Sequence, residues 1–287
     1  MPASLAELIR PVLASVSSQK ELVAMGPLQW KSWAAGVLLA VGGLASQAST
    51  KETHAPFLAR RGEIGVAAGG CYHAVRDELL SQEKYTGGAW WYAISWRARN
   101  GMPRAGLCLD VATGVVSNYG VSAQVLTGTL RLAWVYPVRQ WRPFGRRTQV
   151  LLGPSTGLVL YSRVQRIARG GASFFDAYSA AALVLVGPSL AFHSQLTDHL
   201  RMEARSEVSL LAVGGKLIDL RESNSSLVRP LAPWQALFTL SEVNLLCPLW
   251  GPVNARAGYR LSLLRLSAWD YLLLAADTIY LGIVVAL

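Results

Sequence analysis

The sequence predicts an all-β fold: an up-and-down antiparallel barrel of about ten strands crossing a membrane. Three observations carry this. In residues 200–213, Leu200, Met202, Ala204, Val208 and Leu210 share one parity, while Arg201, Glu203, Arg205, Glu207 and Ser209 share the other. Side chains alternate across a strand, so this stretch has one oily face and one ionic face, whereas a helix would scatter the charges around its circumference. Second, hydrophobic residues make up 52% and charged residues only 15%, against roughly 25% charged in ordinary soluble domains. Third, similar alternating segments recur along the chain with turn residues between them.

Composition also excludes alternatives. A helical membrane protein needs apolar runs of about 20 residues. The uncharged stretch 111–130 contains Thr113, Ser117, Asn118, Ser122, Gln124, Thr127 and Thr129, too polar for a spanning helix. A closed barrel is the other structure that satisfies every backbone group in lipid. The net charge is +10, but the arginines are dispersed among apolar strands. Nucleic-acid binding would need them clustered with aromatics on one face, so no nucleic-acid partner is expected. Cys71, Cys108 and Cys247 are far apart with no Cys-x-x-Cys, and their odd number leaves at least one unpaired. Each falls in a strand-like segment as a small packing residue. No histidine or second cysteine lies at ligand spacing, and neither metal nor cofactor is expected.

Taken in order, residues 25–48 hold a basic residue, an apolar core and a small-x-Ala end, the three parts of a secretory signal. Cleavage is expected after Ala48. Residues 1–24 are either an upstream extension, with Met25 the true start, or a long signal front end. Residues 49–61 form a polar lead, and 62–287 the barrel. The first strand is expected at 64–75, ending near Cys71, Tyr72 and His73. At 89–99, Trp90, Tyr92, Ile94 and Trp96 oppose Ser95, Arg97 and Arg99; Asn100-Gly101 then suits a hairpin turn. At 107–117, Leu107, Leu109, Val111 and Val115 oppose Cys108, Asp110, Ala112 and Gly114, before the tight connection Asn118, Tyr119, Gly120.

At 121–138, Leu126, Leu130, Leu132, Trp134 and Tyr136 oppose Thr127, Thr129, Arg131 and Ala133, with the aromatics placed as in an interfacial girdle. Further strands are expected at 150–162, 178–192, 200–213, 236–249, 255–266 and 271–287. In 236–249 the polar parity switches from Thr239 and Ser241 to Glu242 and Asn244, and Leu263-Leu264 breaks the next alternation. A bulge in each would restore the phase. Connections at 76–87, 163–177 and 214–234 read as long loops on one side. Those at 100–106, 193–198 and 250–254 read as short turns on the other, with 139–146 intermediate. Long outer loops and short periplasmic turns follow the barrel rule.

One stretch carries a resemblance: an apolar strand ending in Tyr136-Pro137, the basic Arg142-Pro143 turn, then Val150, Leu151, Leu152, Gly153, Pro154, Ser155, Thr156 and Gly157. It resembles the Gram-negative outer-membrane β-barrel class, particularly the small barrels of the Bacteroidetes and their relatives. The likeness is architectural, covers residues 62–287 and rests on no specific motif. It implies an outer-membrane location, with lipid, lipopolysaccharide and the barrel-assembly machinery as partners. Such barrels usually end in an aromatic residue, where this sequence has Leu287.

The candidate functional residues are the ionic set of the lumen: Arg97, Arg99, Asp110, Arg131, Arg201, Glu203, Arg205, Glu207, Arg256 and Arg260. In a narrow barrel such charges pair across neighbouring strands and plug the interior. The expected function is a structural or surface-interaction barrel with a largely closed lumen. The alternatives are a small anion-preferring pore and a barrel-wall lipid-modifying hydrolase. The hydrolase reading draws on His193-Ser194, but neighbours on a strand point to opposite faces and cannot form a nucleophile–base pair. His73 with Asp77 and Glu78 is a second, weaker histidine site. No catalytic residue is assigned.

Overall fold

The structure, a computed structural model, describes residues 62–78, 81–98, 104–119, 121–143, 146–169, 173–218, 229–268 and 271–287. The expected signal, its upstream extension, the lead, Arg99 and Asn100-Gly101 lie outside the described residues. Twelve strands run in chain order: β1 (Gly62–Asp77), β2 (Ser81–Ala98), β3 (Arg104–Asn118), β4 (Val121–Trp141), β5 (Thr148–Arg169) and β6 (Ser173–Gln195) are followed by β7 (Arg201–Val208), β8 (Leu211–Ile218), β9 (Arg229–Leu231), β10 (Ala236–Trp250), β11 (Val253–Leu266) and β12 (Leu272–Ala286). Every pairing between them is antiparallel.

β1 pairs with both β2 and β12, and β6 pairs with β5, β7 and β8, so the sheet closes on itself. β7 and β8 share one wall position. Ser189 faces Glu207 and Val186 faces Leu211, so one extra residue is accommodated between them. This is a bulge at Ser209-Leu210. Its backbone stays satisfied, because Ser209 N–H donates to Phe238 at 2.8 Å and Leu210 N–H to Val186 at 2.9 Å. β9 and β10 likewise share a position, interrupted by a turn over 232–235. The wall is therefore a closed ten-strand antiparallel barrel, the architecture of outer-membrane barrels. No helix among the described residues is long and apolar enough to cross a membrane, a statement about helices alone.

Alternation sorts the wall as the rhythm of residues 200–213 implies. Glu203 and Glu207 are buried inside, whereas Val66, Ile94, Leu109, Leu130, Val184 and Leu261 are all more than a third exposed on the outside. An exposed apolar belt of that extent has no place against water.

Three expectations need correction. The parity does not switch at Ser241/Glu242 in β10 or at Leu263/Leu264 in β11. Their pairing is unbroken through Ser241, Glu242 and Leu263, Leu264. Even-numbered residues point inward from Ala236 to Leu246 and along β11, including Phe238, Leu240, Leu264 and Leu266. The apparent switch arises because the half of the interior farther from Gly62 and Leu287 is apolar rather than ionic. The main bulge falls instead at Ser209-Leu210, with smaller irregularities at Pro137/Arg139, Arg76/Asp77 and, near the end of β10, Pro248/Trp250.

The loop asymmetry also fails. β2 already begins at Ser81, and the β5–β6 ladder continues to Arg169 opposite Ser173. The stretches expected as long loops at 76–87 and 163–177 are thus largely paired strand. Backbone pairing continues beyond the apolar belt because each added pair satisfies further N–H and C=O groups, whatever the side chains. Of the third, 214–234, residues through Ile218 belong to β8 and 229–231 to β9. The connection at Tyr119, with φ of 44°, is tight as expected.

Candidate functional site in the barrel interior

The half of the lumen nearer Gly62 and Leu287 holds an ion-pair network. β7 contributes Arg201, Glu203, Arg205 and Glu207 from one face, because a two-residue period puts all four side chains inward. Arg97 of β2 pairs with Glu203, which also meets Arg201 at 2.7 Å; Arg201 lies 3.4 Å from Glu63. Arg205 pairs with Glu207, and its Nε donates to Ser189 Oγ at 3.3 Å.

At the centre Arg131, only 3% exposed, faces Asp110 at 3.4 Å and both Glu207 and Glu242 at 3.8 Å. Its Nη2 also donates to Cys108 Sγ at 3.3 Å. Asp110 further receives Arg260 at 2.7 Å, the Thr129 hydroxyl at 2.6 Å and Trp91 Nε1 at 3.4 Å. Glu242 pairs with Arg256 and accepts from Asn244 Nδ2 at 2.9 Å; the Tyr280 hydroxyl lies 2.6 Å from its Oε1. Arg256 Nε donates to Asn244 Oδ1 at 2.6 Å, and Trp91 stacks on Tyr280 with ring centroids 4.6 Å apart.

Six guanidinium groups therefore face five carboxylates inside a closed wall. Taking such charges out of water costs several kcal/mol per ion, repaid only by good geometry and added hydrogen bonds. Around Asp110 and Glu242 the network adds hydrogen bonds from Thr129, Trp91, Asn244 and Tyr280, and it locks strands distant in sequence to one another. Glycines make the room. A Cβ at Gly258 would overlap the Tyr280 ring, and one at Gly157 would sit 3.5 Å from Arg131 Cγ.

The structure places nine of the ten candidate residues in this network, and Arg99 lies outside the described residues. Sequence reasoning missed Glu63, Glu242, Asn244 and Tyr280. Glu63 was one residue outside the expected first strand, although the rhythm of β1 extends back to it. Glu242 was hidden by the supposed parity switch.

Above this layer the interior is apolar. Val75, Val116, Val125, Leu183, Phe238, Leu240, Leu264, Leu272 and Leu274 pack together, each at most 7% exposed. Fully burying one such side chain contributes about 1.5–3 kcal/mol. Beyond them, fully buried Arg163 donates to Gln165 at 2.7 Å and lies 4.0 Å over the Tyr85 ring, while the Tyr161 hydroxyl donates to Asp77 at 3.2 Å. Two voids are small, about 30 Å³ between the ionic and apolar layers and about 10 Å³ beside Glu63 and Arg97.

The other sequence candidates do not converge. His73 projects into the larger void, and neither ring nitrogen has a hydrogen-bond partner among the described residues. Asp77 bonds Tyr161 as above, and Glu78 pairs with Arg76 on the outside at 3.0 Å. His193 lies directly across from Glu203, whereas the Ser194 hydroxyl sits 3.1 Å from that of Thr148. All three cysteines are free. Among the described residues no group of three or more His, Cys, Asp or Glu could hold a metal ion.

No family model and no curated protein matches the sequence. Solved structures do resemble the fold. The outer-membrane protease OmpT from Escherichia coli is 6% identical with a TM-score of 0.49, covering 84% of this chain and 100% of its own. The translocator domain of the autotransporter NalP from Neisseria meningitidis is 9% identical with a TM-score of 0.45, covering 90% and 98%. Neisserial surface protein A is 12% identical with a TM-score of 0.32, covering 78% and 97%. At these identities and scores the likeness extends to the barrel architecture alone.

Proposed function

We propose that the protein is an outer-membrane barrel of structural or surface-interaction type, a closed wall that presents its rims rather than a conduit. The observation that carries this is the double filling of the lumen among the described residues: an Arg–carboxylate layer beneath an apolar core. A hydrated anion needs a continuous passage, and the surplus arginine alone does not make one. The rim bearing Gly62 and Leu287, joined by a 2.9 Å backbone bond, faces the periplasm in this reading. Its partners are membrane lipid, lipopolysaccharide and the assembly machinery. Residues 25–48 act as the export signal, so the protein purified from outer membranes starts at Ser49. Single-channel recording in planar bilayers tests the closed lumen. The reading expects an unbroken baseline; a reproducible anion-selective conductance would establish the pore instead.

A further inference from the structure

The rim that carries Gly62 and Leu287 also carries a cluster of cations. Between Arg139 and Arg147 the β4–β5 hairpin exposes Arg139, Arg142, Arg146 and Arg147, and Arg104 stands beside them at the start of β3. None of the five has a carboxylate partner among the described residues. Their polar contacts are weak: Arg147 Nη2 donates to Gln140 Oε1 at 3.4 Å, and Arg139 lies 5.8 Å over the Trp141 ring. Asp198, on the adjoining β6–β7 turn, is exposed and pairs with none of them. In the ionic layer of the lumen each arginine meets a carboxylate; at this rim none does.

The position of the cluster decides its partner. Pro143 turns the chain, with Arg146 N–H donating to its carbonyl at 3.0 Å, so the arginines lie just past the outward residues Tyr136, Val138 and Trp141. Trp141 packs against Phe192 with centroids 6.2 Å apart, and Trp96 and Trp250 are exposed at the same rim. Tryptophan and tyrosine mark the headgroup level of a bilayer. Guanidinium groups immediately beyond them stand at the depth of lipid phosphates, which they bind through paired N–H donors.

We infer that the β4–β5 hairpin is a binding site for the phosphate headgroups of anionic glycerophospholipids in the leaflet it meets. The inference rests on the outer-membrane reading. The site ties the rim to one leaflet and sets the barrel's depth.

The test uses the full barrel in vesicles of phosphatidylcholine containing spin-labelled phosphatidylglycerol or spin-labelled phosphatidylcholine, reading the motionally restricted fraction of each. Wild type is expected to prefer phosphatidylglycerol by roughly five- to tenfold, the preference shrinking as salt rises. The Arg139→Gln/Arg142→Gln/Arg146→Gln/Arg147→Gln variant should bring it close to one. Lys84→Gln/Arg265→Gln, at the opposite rim, should leave it intact. Should the quadruple variant not insert, the salt series on wild type carries the decision. A salt-independent or absent preference in wild type overturns the inference, as does loss of preference in the Lys84/Arg265 variant. Absence of any restricted lipid would instead overturn the membrane-barrel reading itself.

Discussion

Glu242→Gln removes one negative charge from the centre of the lumen while nearly preserving its shape. Glu242 is 7% exposed and touches Arg256, Arg131 at 3.8 Å, Asn244 at 2.9 Å and Tyr280 at 2.6 Å. Breaking one partner of a buried pair costs about 3–5 kcal/mol, because the other charge remains buried and uncompensated. The glutamine oxygen still accepts from the Tyr280 hydroxyl, so the lower end, about 3 kcal/mol, is expected. Equilibrium urea unfolding from short-chain phosphatidylcholine vesicles, followed by tryptophan emission, reads this loss. A second variant, Glu242→Gln/Arg256→Met, removes the orphaned cation as well. The double change should be less costly than the two single changes summed, with a coupling of at least about 1.5 kcal/mol. A Glu242→Gln loss below about 1 kcal/mol, or strict additivity, would refute the claim that this carboxylate neutralises the central arginines.

Other perturbations probe the remaining layers. Leu130→Arg places a charge on the outward belt and should cost about 2–4 kcal/mol in vesicle unfolding, far more than Leu130→Ala. Phe238→Ala hollows the apolar plug and should cost about 3–5 kcal/mol; a near-neutral result would mean that this core is not packed. Gly258→Val drives a side chain into the Tyr280 ring and should cost about 1–3 kcal/mol by overpacking. Combining it with Tyr280→Ala should recover part of that loss, and no recovery would contradict the contact.

How much of this was legible in the sequence depends on contrast between the two faces of a strand. β7 has maximal contrast, Arg/Glu against Met/Ala/Val, and both its period and its inward set could be read directly. β6 has almost none: Leu183 and Leu185 point inward while Val184 and Val186 point outward. Parity there says nothing about direction, so the apolar half of the lumen was invisible. The same lack of contrast underlies the bulges expected in β10 and β11, where apolar Phe238, Leu240 and Leu264 point inward. The true bulge at Ser209-Leu210 left no mark, because Leu210 and Leu211 are apolar whichever way they point. Polar residues flanking the belt, such as Arg163 and Gln165, read as loop because sequence hydropathy reports the solvent around a strand, not its backbone pairing.

Spin labels placed singly from 201 to 208 test the central claim, because oxygen partitions into lipid and a nickel chelate stays in water. The account predicts high oxygen accessibility at 202, 204, 206 and 208, and low accessibility to both reagents at 201, 203, 205 and 207. Nickel access at the odd positions would show a water-filled lumen, and a period near 3.6 residues would mean that the segment is not a strand at all.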